Sequence, residues 1–104
     1  DIGGAARAEV VVAGLRVILY DPQVTAVLIN IFGGITRCDE VAYGIVQAVS
    51  TLQLYLPMVV RLAGTHAEQG RLLIDSANLP NLQNATSLTE AAEKVVRAAR
   101  EVSL

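Results

Sequence analysis

Two stretches of aliphatic residues, Ala26 to Phe32 and Met58 to Leu62, constrain this chain more than anything else in it. Each is apolar at nearly every position rather than at alternating ones, and glycine follows each: Gly33-Gly34 after the first, Ala63-Gly64 after the second. A strand with one face in water alternates polar and apolar residues. A continuous run instead needs cover on both faces, the situation of a central strand in a parallel sheet. Parallel strands cannot be joined by a tight hairpin, so the residues between them must supply a crossover, usually a helix. The expected fold is therefore α/β, a layered structure about a parallel sheet.

The remaining segments fit that frame. Arg7 to Tyr20 reads as a helix with two apolar stripes: Val10, Ala13 or Gly14 and Val17 on one, Val11, Leu15 and Ile18 on the other. Asp21-Pro22 ends it. A second helix is expected from about Asp39 to Leu52 with Val41, Ile45, Val49 and Leu52 inward, and a third over Ala67 to Ala77 with Ala67, Gly70, Ile74 and Ala77 inward. Leu82 to Ala85 reads as a short edge strand. A fourth helix, Leu88 to Val102, carries an apolar face of Leu88, Ala92, Val95, Ala99 and Val102. Gly44 and Gly70, inside helices, are expected to permit close helix–sheet packing. Three segments, Thr36–Asp39, Thr65–Glu68 and Ser87–Glu90, have the spacing of a capping box, in which a hydroxyl and an acid satisfy helix-start amides reciprocally.

Composition excludes several classes. Of 104 residues, 53% are hydrophobic and 17% charged, too apolar for disorder. Eight basic residues against ten acidic leave a net charge of −2, without the basic footprint of a nucleic-acid or anionic-membrane binder. Cys38 is the only cysteine, so no internal disulfide forms and a reducing, intracellular compartment is expected. The uncharged run from Val41 to Val60 is twenty residues long, but Gln47, Ser50, Thr51, Gln53 and Pro57 and its change of pattern argue against a membrane span. Charge is uneven among the helices. The fourth helix has Glu90–Lys94 and Glu93–Arg97 at pairing distance, whereas the first two are poor in charge, so their outer sides are expected to be covered by another domain or subunit.

Ligands of open parallel sheets bind beyond the carboxyl ends of the strands. Three glycine-bearing segments gather at such an edge: Asp1-Ile2-Gly3-Gly4, Asn30 through Thr36, and Arg61 through Thr65. Gly33-Gly34 is followed at once by a helix start, so backbone amides and the positive helix end can face a phosphate or carboxylate, with Arg37 adding a formal charge. A plain strand-to-helix turn explains the same glycines, and both readings stand. The Walker and dinucleotide glycine spacings are absent. His66, the single histidine, reads as a loop residue, and no clustered ligands indicate a metal. Cys38, in the first turn of the second helix, reads as packing rather than as a nucleophile.

The string Asn30-Ile31-Phe32-Gly33-Gly34-Ile35-Thr36-Arg37-Cys38-Asp39 closely resembles the C-terminal CoA-ligase domain of succinyl-CoA synthetase β subunits. Asp1-Ile2-Gly3-Gly4, Val59-Val60-Arg61-Leu62 with Gly64-Thr65, and the Ser87–Glu90 helix entry extend the resemblance over essentially the whole chain. It implies a three-layer, flavodoxin-like (Rossmann-like) open sheet with helices on both faces and a truncated first strand. Residues 1–104 would then follow an ATP-grasp domain that is not in this sequence, in keeping with the absence of an initiator Met. The resemblance further implies an enzyme of paired α and β subunits that joins succinate to CoA using ATP or GTP with Mg, through a phosphohistidine on the α subunit. Gly33, Gly34, Ile35, Thr36 and Arg37 would face that phosphohistidine and the succinyl carboxylate, with Asn30, Gly64 and Thr65 as possible substrate-side residues. The histidine would belong to the partner, so His66 is not phosphorylated and no catalytic residue or bound cofactor falls within this chain, which alone would be inactive. Such enzymes are cytoplasmic in bacteria and otherwise occupy the mitochondrial matrix. Ala63 and His66 depart from the usual family pattern. Malate–CoA ligases share the architecture, and a non-catalytic flavodoxin-like binding module is the competing class.

Overall fold

A computed structural model of the chain describes residues 13–18, 21–32 and 37–103, with side chains as far as residue 101. The expected Asp1–Gly4 turn, the start and end of the first helix and the residues Gly33–Thr36 lie outside the described residues. The elements are α1 (described over 13–18), β1 (Val27–Ile31), α2 (Cys38–Leu52), β2 (Met58–Leu62), α3 (Ala67–Ser76), β3 (Leu82–Ala85) and α4 (Leu88–Ser103). The three strands pair in parallel in the order β1-β2-β3, with Val27 opposite Met58 and Met58 opposite Leu82. This is a flavodoxin-like α/β arrangement.

Of the two continuous apolar runs, only β2 is covered on both sides; in β1 Val27 is buried but Leu28 is 37% exposed and Ile29 to Ile31 are half-buried, against the expectation of burial on both faces. Met58, Val60 and Leu62 of β2 join Val27 of β1 and Val41, Ile45, Ala48 and Val49 of α2, together with Ile74 of α3 and Leu15 of α1, in the larger core. Val59, of opposite parity, meets Ala85, Ala91 and Val95 beneath α4. Helices α1, α2 and α3 thus share one face of the sheet and α4 holds the other. Full burial of each large side chain, such as Ile45 or Met58, contributes roughly 1.5–3 kcal/mol.

The uncharged run from Val41 to Val60 divides between α2 and β2, with a turn between them. Among the described residues no helix is long and apolar enough to cross a membrane. Asn81 fixes the turn: its Nδ2 donates to the carbonyls of Leu54 (3.0 Å) and Leu56 (2.8 Å), while its own carbonyl accepts the Met58 N–H at 2.7 Å.

Several local expectations need correcting. On α4 the buried positions are Ala91 and Ala98, with Val95 half-buried, whereas Leu88 (53% exposed) and Ala92 point outward. Small alanines occupy the inner face because α4 lies close over β2 and β3. Glu90–Lys94 forms at 3.5 Å, but Glu93–Arg97 is not among the ion pairs of the described residues. Lys94 instead extends its Nζ to the Asn84 carbonyl at 2.7 Å. Only Leu15 and Ile18 of α1 turn inward, leaving Ala13, Gly14 and Val17 exposed. Leu72 on α3 and Leu88 and Val96 on α4 are also exposed, so apolar surface does not single out the first two helices.

Thr36 lies outside the described residues, and of the two remaining expected capping boxes one forms. Ser87 Oγ accepts the Glu90 N–H at 3.0 Å, and Glu90 Oε1 accepts the Thr86 N–H at 2.9 Å. The helix starts at α2 and α3 instead have Arg37 and His66 at the cap, one residue beyond the expected threonines, with no side-chain cap bond. The Thr86 N–H foremost, and then Lys94, holds the Glu90 carboxyl below its ordinary value. A depressed folded value means a contribution present above the unfolded carboxylate range and lost as pH falls through the folded value. Glu90→Gln is therefore expected to remove part of the acid-side loss of stability. Ser87→Ala should cost about 1 kcal/mol at neutral pH. Urea midpoints at pH 7 and below the carboxylate range check both; a Glu90→Gln curve with unchanged pH dependence would refute the linkage.

Candidate functional site

The carboxyl ends of β1 and β2 meet the starts of α2 and α3 at one edge of the sheet. The ladder runs on beyond the strands, with the Ala63 N–H donating to the Ile31 carbonyl at 2.9 Å. The chain then turns through Gly64 (φ 130°) and His66 (φ 59°), two left-handed residues flanking Thr65. Glycine adopts that region freely, whereas His66 does so at a cost and serves as the cap of α3. The turn is laid across the start of α2, because the Cys38 N–H donates to the Thr65 carbonyl at 2.9 Å. Gly64 and Thr65 are exposed at this junction. The edge thus brings together Arg37, Gly64 and Thr65, three of the residues singled out from the sequence.

The expected anion cradle needs revision in two respects. Arg37 is not a spare positive charge: its Nε donates to Asp39 Oδ1 at 3.2 Å and its Nη2 to Asp39 Oδ2 at 2.8 Å. That paired contact raises the Arg37 pKa and lowers that of Asp39, so both remain charged and offset each other. Nor are all first-turn amides of α2 available, since Cys38 donates to Thr65 and the Glu40 N–H donates to Asp39 Oδ1 at 3.0 Å. Gly33, Gly34, Ile35 and Thr36, the remainder of the expected cradle, lie outside the described residues.

Asn30, also singled out, sits in β1 directly opposite Arg61 of β2, whose Nη1 donates to Asn30 Oδ1 at 3.2 Å. Arg71 of α3 reaches the same strand end, its Nη1 donating to the Leu62 carbonyl at 3.0 Å. Reading the sequence for glycine loops passed over both arginines. The available signal was a lone cation inside the run Met58-Val59-Val60-Arg61-Leu62. Cys38 is wholly buried, and desolvation pushes its thiol pKa up, outweighing the opposing effect of Arg71, as befits a packing residue. His66 is exposed in its turn. Among the described residues no three His, Cys, Asp or Glu side chains gather into a metal site.

Comparison with known proteins agrees with this architecture. A family model described as CoA-ligase matches residues 1–102. Among curated relatives, the chain is 52% identical to the succinate–CoA ligase [ADP-forming] subunit beta of Salinibacter ruber, over 97% of this chain and 26% of that protein. It is 50% identical to the protein of the same name from Histophilus somni, over 97% and 26%. Against the subunit beta 2 of Streptomyces coelicolor the identity is 48%, over 99% and 27%. The chain therefore spans about a quarter of the length of the curated relatives it matches.

Proposed function

The chain belongs to the CoA-ligase family, and from that we propose that it is the C-terminal domain of the β subunit of a succinate–CoA ligase, following a nucleotide-binding ATP-grasp domain. The observation that carries this reading is near-complete coverage of the chain at about half identity by subunits of that name. Those relatives are ADP-forming, which favours ATP over GTP as the nucleotide of the whole enzyme, with Mg and CoA as its other requirements. A β subunit calls for an α partner. In this reading the partner carries the histidine that receives the nucleotide's terminal phosphoryl group.

The domain's own work is electrostatic. Amides of Gly33, Gly34, Ile35 and Thr36, beside the N-terminus of α2, hold the phosphoryl group in transit or the carboxylate it activates. Arg37 contributes by orienting Asp39 and the start of α2, its charge being already matched. Gly64 and Thr65 support the same edge through the bond between the Thr65 carbonyl and the Cys38 N–H. Asn30 bears on it through Arg61. With no nucleotide site and no phosphorylated histidine of its own, the isolated domain is expected to be inactive.

The test uses the full-length chain co-expressed with its α partner. Nucleotide labelled in the terminal phosphoryl group is expected to label a histidine on the partner, and succinate with CoA should discharge the label as phosphate. Absence of a histidine-bound label, or discharge indifferent to succinate, would overturn the assignment.

A further inference from the structure

We draw no further inference here: the strongest candidate, the exposed apolar surface of Leu28 in β1 and Leu88 and Val96 in α4, is an unpartnered face and nothing in the structure shows what covers it.

Discussion

Gly70→Val is expected to destabilise the protein by about 3 kcal/mol or more, the upper range for overpacking a close contact. A Cβ at Gly70 would lie 2.7 Å from Leu62 Cδ1 and 2.8 Å from the Cys38 carbonyl oxygen. The leucine tip can rotate away. The carbonyl cannot, because it belongs to the first residue of α2, whose N–H is fixed by the Thr65 carbonyl. Two γ-methyls would then force α3 away from α2 and strain the junction at the candidate site. Gly70→Ala should lie between, its clash partly offset by the roughly 1 kcal/mol that alanine gains over glycine in a helix. Gly14 is the control. Nothing lies within 4 Å of a Cβ built there, so Gly14→Ala should be neutral or stabilising by up to about 1 kcal/mol. Urea unfolding of the three variants decides the matter: a Gly70→Val midpoint equal to that of Gly14→Ala would mean the helices are not in backbone contact.

That contact also shows where sequence reading stops. Burial of β2 on both faces was legible because consecutive apolar residues have few other homes, although the same pattern in β1 leaves Leu28 exposed, and helix periodicity located α2, α3 and α4 within a residue or so at each end. Gly70 was expected to ease helix–sheet packing, and it does lie against Leu62 of β2, but its close approach to the backbone of α2 is a neighbour set by tertiary structure. The α4 stripe was misplaced because the pattern weights large residues, while close seating over β2 selected Ala91 and Ala98. At α3 the cap falls on His66 rather than Thr65, so the capping box expected from Thr65–Glu68 does not form there. The site behaved similarly. Glycines and Arg37 were visible as residue types, but the pairing of Arg37 with Asp39 and the contact of Arg61 with Asn30 depend on geometry.

With Arg37 matched and the Cys38 and Glu40 amides in use, the proposed anion site concentrates on Gly33, Gly34, Ile35 and Thr36, and there the largest functional effect is expected. Gly34→Asp should lower transfer between nucleotide and acyl group in the αβ enzyme by at least about a hundredfold, comparable to the loss of a preorganised oxyanion donor. The added carboxylate repels the anion and also competes for the amides that would hold it. A side chain could obstruct the turn without any charge effect, so Gly34→Asn is the informative companion. Asparagine has nearly the shape of aspartate and no charge, and both residues tolerate left-handed backbone. If anion holding is the function of the turn, Gly34→Asp falls well below Gly34→Asn, and high salt narrows the gap by screening. If the turn serves only to join strand to helix, the two variants lose activity and Tm together and salt changes neither. Histidine labelling followed by succinate-dependent discharge, measured on both variants at low and high ionic strength, separates those outcomes.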